Sequence, residues 1–291
     1  MNRSQLLQHF DTLAETPEAV EKLRKLVLNL AVKGSLVPQQ SADGDAATLL
    51  SEIDAERACR VEAKELEASP RMKTLPISTT KLPLGWLWTP FGRVSFCRDG
   101  ERIPVNSDER ETLAKTYDYY GASGVIDKID RYLFEKPLLL IGEDGANLVN
   151  RSTPIAFIAE GKYWVNNQSH VLDALNRTLL EYLRIFINSI NLEPYLTGMA
   201  QPKMNQAQTN SIPVALPPLA EQHRIVAKVE ELLAWCDELE ARLTAAQTTA
   251  AALLDSTLRQ ILAAFAGQLV PQDPADEPAD ELLARLKPGK K

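Results

Sequence analysis

Forty-seven consecutive residues, from Leu219 to Phe265, contain neither Gly nor Pro. Pro217 and Pro218 stand before them and Gly267 follows. Prolines at a helix start and Gly just past its end are start and stop signals. Inside, one seam position reads Ile225, Leu232, Leu239, Ala246, Leu253, and its partner reads Val229, Cys236, Leu243, Ala250. Spacings of three and four, kept over about four heptads, mark a coiled-coil helix. At 1.5 Å per residue such a helix is about 70 Å long, roughly two turns of B-DNA. The alternative is an amphipathic helix buried in a bundle. In both cases a helix this long is a spacer or a dimerisation strut, so function turns on what it holds apart.

A second feature is an internal repeat. Residues 31–53 and 264–286 align without a gap at a constant offset of 233, and 11 of the 23 pairs are identical. The identities include Gly34 with Gly267 and the run Leu36-Val37-Pro38-Gln39 with Leu269-Val270-Pro271-Gln272. A shared helix–Gly–helix composition would not reproduce Leu-Val-Pro-Gln. One structural piece therefore occurs at both ends with a different domain between. Two copies are too few for a solenoid, but they suit joining copies in series or closing them into a ring.

Residues 1–81 read as a helical segment. Leu23, Leu26, Val27, Leu30 and Ala31 form one face of a helix from Glu18 to Val32, with Thr16-Pro17 as its start and Gly34 as its stop. A second helix is expected from Ala46 to Ala68, stopped by Ser69-Pro70, and residues 70–83 read as a linker. Residues 82–218 change character. Leu138–Ile141 reads as a short buried strand, followed by a turn-rich Gly142-Glu143-Asp144-Gly145. Ile155–Ala159 and Lys162–Val165 are expected to pair as strands around Glu160-Gly161. A strand at Ser169–Leu172, a helix at Thr178–Ile190 and a strand at Ile212–Leu216 follow. Short strands with a few helices make a compact α+β domain. The expected organisation is an N-terminal helical segment 1–81, a compact domain 82–218 of mixed helix and strand, and a spacer helix with the second repeat copy, 219–291.

Chemistry-bearing motifs are few. The chain has no phosphate-binding Gly-x-x-x-x-Gly-Lys and no Gly-x-Ser-x-Gly elbow. Asn191-Leu192-Glu193-Pro194-Tyr195 lacks the first proline of the Asn-Pro-Pro-Tyr motif of adenine methyltransferases, so it reads as a helix end. Cys59, Cys97 and Cys236 form no Cys-x-x-Cys pair, and His9, His170 and His223 have no metal spacing. No catalytic residue, metal or cofactor is expected in this chain. With no signal-peptide core at its start and no run of 18 apolar residues, the chain reads as cytoplasmic and without a membrane partner.

Three polar clusters in the middle domain stand out. The first is Tyr119-Tyr120-Gly121-Ala122-Ser123-Gly124, read as a flexible loop. The second is Asn166-Asn167-Gln168-Ser169-His170, and the third is Gln201-Pro202-Lys203-Met204-Asn205-Gln206. Asn and Gln can pair bidentately with adenine, and Lys or Arg with guanine. The candidate DNA-reading residues are Tyr120, Ser123, Asn166, Asn167, Gln168, His170, Gln201, Lys203 and Asn205. Any one cluster also fits solvated surface. The formal charge of −7 does not announce nucleic acid. Residues 81–218 carry 14 basic and 15 acidic groups, so if the chain binds DNA, its basic residues must be gathered on one face or a partner must supply phosphate contacts.

Together these stretches resemble the DNA specificity subunit of Type I restriction–modification enzymes. The resemblance runs through Leu84-Gly85-Trp86, Tyr119 to Ile126, Leu139 to Gly145, Trp164 to Asn167, His170-Val171-Leu172 and Gln201-Pro202-Lys203. It continues through Leu216 to Gln222 and Phe265 to Gln272. It implies that residues 82–218 are a target recognition domain and residues 219–264 a spacer helix. The family subunit usually has two of each, so this chain looks like a half-length form. The resemblance further implies a noncatalytic subunit that reads a bipartite site in double-stranded DNA. Its partners would be a methyltransferase subunit using S-adenosylmethionine to methylate adenine, a restriction subunit using ATP and Mg, and a second copy of itself. The rival readings are a catalytic DNA modifier with an unrecognised site and a coiled-coil scaffold.

Overall fold

A computed structural model describes residues 17–66, 81–198, 201–271 and 273–286. The expected N-cap Thr16, the stop at Ser69-Pro70 and most of the linker lie outside these residues. The chain divides into two compact units, Glu21–Cys236 and Met1–Val20 with Asp237–Lys291. The expected recognition domain, 82–218, falls wholly inside the first.

In that unit helix α1 (Pro17–Val32) ends at Gly34, whose left-handed φ of 64° suits a residue with no Cβ. The Gly34 amide bonds back to Ala31 and the Ser35 amide to Leu30, which satisfies carbonyls the helix end would leave open. Helix α2 (Ala46–Glu62) starts on Asp45, whose carboxylate caps the Ala47 amide. It stops short of the expected Ala68. Lys64 takes a left-handed φ of 62°, and the Glu65 amide turns back to the Arg60 carbonyl. Ala46, Leu49, Leu50 and Ile53 of α2 are buried in the main core. Arg57 donates to the carbonyls of Gly92 and Ser95, both at 2.7 Å, which fixes α2 to the domain.

Strand β1 (Leu87–Pro90) leads into the short helix α3 (Phe91–Val94) and strand β2 (Phe96–Cys97). After helix α4 (Ser107–Thr112) come β3 (Tyr117–Gly121) and β4 (Gly124–Ile129), then β5 (Leu138–Gly142) and one turn of helix, α5 (Asn147–Asn150). Next are β6 (Ala156–Ala159), β7 (Tyr163–Val165), β8 (Ser169–Asp173) and helix α6 (Arg177–Ser189). Helix α7 (Gln206–Ser211), β9 (Pro213–Leu216) and helix α8 (Leu219–Phe265) follow, and α9 (Ala279–Leu286) is last. The architecture is α+β, as expected.

The strands form three sheets: β1-β9, β2-β8-β5-β6 and β4-β3-β7. The second is antiparallel throughout, while β3 pairs antiparallel with β4 and parallel with β7. Leu138–Ile141 is wholly buried at its centre. Two expectations are corrected here. The first cluster is not a flexible loop but a β-hairpin, Gly121 opposite Gly124, with Ala122-Ser123 as its two-residue turn. The strands around Glu160-Gly161 do not pair with each other. The carbonyl and amide of Tyr163 are taken by Phe134, and β7 lies along β3, while β6 lies along β5. Gly161, at φ 72°, lets the chain pass from one sheet to the next.

Helix α6 packs over the four-stranded sheet. Asn176 caps it by accepting from the Leu179 amide. Its buried face includes Leu179, Leu183, Phe186 and Ile187, each contributing on the order of 1.5–3 kcal/mol. Helix α8 is one unbroken helix of 47 residues, as expected. Its seam is not uniform. Ile225 and Val229 are fully buried in the unit's own core and Leu232 packs against it. Cys236 is also buried, Leu239 and Leu243 are half-buried, and Leu253 is exposed. Ile225 and Val229 are therefore closed to a second chain, which corrects the reading of the seam as a coiled-coil surface at these two positions.

Candidate functional site: three loops over a buried charge cluster

The three polar clusters, spread in sequence from Tyr119 to Gln206, meet in one place. Ser169 donates to the Gly121 carbonyl at 2.8 Å, and the Asn166 amide donates to Tyr120 at 3.1 Å. These bonds join the second cluster to the hairpin. The Glu143 amide donates to Gln168, and the Met204 amide to Glu143, both at 2.8 Å. The Gly145 amide donates to Pro202 at 3.0 Å. The turn after β5 thus bridges the second and third clusters. Gly142 is required here, because a Cβ would lie 2.7 Å from the Ala122 carbonyl at the hairpin tip. Residues 166–168 are also where the chain leaves the three-stranded sheet and enters the four-stranded one.

Beneath the loops lies a cluster of charges. His170 is 1% exposed. Its Nδ1 is 2.6 Å from Asp99 Oδ2 and its Nε2 is 2.8 Å from the Met204 carbonyl. The Met204 carbonyl can only accept, and so does Asp99 as a carboxylate, an arrangement that favours the doubly protonated imidazolium. Burial by itself pushes the His170 pKa down. The Asp99 carboxylate and the Met204 carbonyl outweigh burial and hold it above its ordinary value. Asp99 shifts the other way: burial raises its pKa, but His170, Arg102 and the Val171 amide together hold it below the usual carboxylate range. Arg102 bonds Glu143 at 2.9 Å and the Ser169 carbonyl at 2.7 Å. Lys203 Nζ lies 3.2 Å from the other oxygen of Glu143.

The nine candidate residues divide by this geometry. Ser123, Asn167, Gln168, Gln201, Lys203 and Asn205 are exposed on the loops. Tyr120 is half-buried, stacked on Phe157 and edge-on to Tyr163. Asn166 is buried and holds the turn, accepting from the Gln168 amide and donating to the Gln168 side chain. Asn205, though exposed, caps α7 by accepting from the Gln208 amide. His170 points inward and offers no free edge. Sequence reasoning missed Asp99, Arg102 and Glu143. They stand outside the three clusters in the sequence, and the partners that gather them, His170 and Lys203, lie far along the chain. Among the described residues no group of three or more His, Cys, Asp or Glu is arranged to hold a metal ion. No helix among them is long and apolar enough to cross a membrane.

The fold and these loops define a class of protein that presents polar side chains on a rigid α+β frame. The family model of the Type I restriction modification DNA specificity domain matches residues 98–246, just over half of the chain, so the chain belongs to that family. It is similar to the specificity subunit of the Type I restriction enzyme EcoEI of Escherichia coli, with 28% identity covering 88% of this chain and 47% of that protein. The EcoAI specificity subunit of Escherichia coli is 28% identical, covering 92% of this chain and 55% of that one. The chain thus spans about half the length of these relatives. Among solved structures it is similar to the S subunit of a Type I restriction-modification system from M. genitalium, at 15% identity and a TM-score of 0.47, covering 93% of this chain and 59% of that one.

Proposed function

We propose that this chain is a noncatalytic reader of DNA sequence that directs a Type I restriction–modification complex to its target. The observation that carries the reading is the convergence of three polar loops on one face, backed by a buried charge cluster that fixes their positions. Ser123, Asn167, Gln168, Gln201 and Lys203 present donors and acceptors suited to base edges in a major groove. The near-neutral charge of the domain favours a partner, the methyltransferase subunit, that supplies phosphate contacts and performs adenine methylation with S-adenosylmethionine. A restriction subunit using ATP and Mg would do the cutting. One set of loops reads one half-site, so a bipartite target calls for a second reader, supplied here by a second copy of the chain. A two-fold pair would read an inverted repeat, because protein symmetry is mirrored in the site.

The test is a map of methylated adenines in cells carrying this chain and its methyltransferase subunit. A split inverted repeat is expected, and Asn167→Ala or Lys203→Ala should relax or abolish it. Methylation at the same sites by both variants would show that these loops are not the readers. Methylation by the purified chain alone would overturn the noncatalytic reading.

A further inference from the structure

The two copies of the repeat have the same backbone construction. Ala266, Gly267 and Gln268 donate to the carbonyls of Leu262, Ala264 and Ala263, as Lys33, Gly34 and Ser35 do to those of Asn29, Ala31 and Leu30. Gly267 takes φ 68° where Gly34 takes 64°. The Asp276 amide bonds Asp273 as the Asp43 amide bonds Gln40. Helix α9 begins at Ala279, the counterpart of Ala46 where α2 begins.

Their surroundings differ. The first copy is plugged into a socket. Arg224 clasps the Asp43 carboxylate through both terminal nitrogens at 2.6 Å and also reaches the Pro38 carbonyl. Glu221, which Trp86 holds at 2.7 Å, accepts from Gln39. The Ala46 amide donates to the Gly85 carbonyl at 2.9 Å. Leu49, Leu50 and Ile53 are 3%, 7% and 0% exposed. Their counterparts in the second copy, Leu282, Leu283 and Leu286, are 38%, 60% and 66% exposed. Leu269 and Val270, counterparts of the half-buried Leu36 and Val37, are 57% and 70% exposed. The second copy keeps Asp276 for Asp43 and the same apolar set, but no socket surrounds it among the described residues. It departs at Gly44, replaced by Glu277, so the turn before α9 must be built without that glycine.

We propose that residues 264–286 are a second ligand for the Gly85–Trp86–Glu221–Arg224 socket, and that they plug into the socket of another copy of this chain in competition with that copy's own residues 31–53. Two such segments cannot share one socket, and the socket of each chain already holds its first copy, so docking requires exchange. A set of leucines in matching register and a carboxylate kept for Arg224 identify the occupant by chemistry already present in the molecule. This inference rests on the self-pairing in the proposed function but not on DNA reading.

The experiment is sedimentation of the full chain without DNA across a range of concentrations. Leu282→Ser/Leu283→Ser/Leu286→Ser alters exposed positions and should raise the dimer dissociation constant at least tenfold with an unchanged thermal melt of the main unit. Asp276→Ala should raise it severalfold. Asp43→Ala, which loosens the resident segment, should lower it, and this opposite sign is the mark of competition. An unchanged constant in the triple variant, a shift of the same sign for both aspartates, or a parent chain that stays monomeric would overturn the proposal. Adding target DNA and the methyltransferase subunit to the same samples reports base reading separately, so failure of one does not pass for failure of the other.

Discussion

The outward and inward sides of the three loops are made of different chemistry. Outside, Ser123, Asn167, Gln168 and Gln201 are neutral and exposed. Inside, His170, Asp99, Arg102 and Glu143 are charged, paired and largely withdrawn from water. The difference shows which side of the loops can change without disturbing the frame. Buried charges are costly to alter, because removing one leaves its partner unpaired in a low dielectric. Exposed neutral side chains are cheap to change. Lys203 belongs to both sides: its ammonium pairs with Glu143, yet its side chain is 51% exposed. It is the residue through which the inner charges touch the exposed side of the loops.

Breaking the inner side should have the largest effect. Asp99→Ala leaves the His170 imidazolium buried with one partner lost, and stability should fall by about 3–5 kcal/mol in denaturant unfolding. A loss under about 1 kcal/mol would mean that the cluster is not a structural pair.

The pH response sharpens the comparison. The His170 pKa is raised on folding, so its contribution is complete below about 6.5, the unfolded value, and is lost as pH rises through the folded value. Asp99 is lowered on folding, so its contribution is present above about 3.9 and lost as pH falls through the folded value. Thermal stability and hydrogen-exchange protection of the Met204 amide should both decline on the alkaline side. His170→Gln should flatten that decline. A parent profile already flat from neutral to alkaline pH would contradict the imidazolium.

Changes on the outer side should leave stability almost untouched. Ser123→Ala at the hairpin tip should alter it by less than about 0.5 kcal/mol. A larger loss would place Ser123 in the frame instead of on the proposed reading face.

Much of this division was legible in the sequence, and part was not. The apolar run Leu138–Ile141 and the stripe from Leu179 to Ile187 announced β5 and α6, because periodicity and burial are local properties. The three polar clusters were visible as composition. Their support was not, because Asp99, Glu143 and His170 are brought together by strand pairing, and pairing is non-local. The same blindness produced the false hairpin around Glu160-Gly161: two adjacent strands were present, but Phe134 and β3 supply the partners of β7. It also hid that Ile225 and Val229 of the heptad seam serve the chain's own core. The hairpin at Ala122-Ser123 was missed for a different reason, since polar residues flanked by glycines read as loop until the register is known.

The most direct test is the ratio of affinities for the mapped target and for a scrambled duplex, measured with the methyltransferase subunit present at fixed salt. Asn167→Ala and Lys203→Ala should each reduce that ratio by about 1–3 kcal/mol, with nonspecific binding and the unfolding midpoint nearly unchanged. An unchanged ratio in both variants would contradict the claim that this face reads DNA.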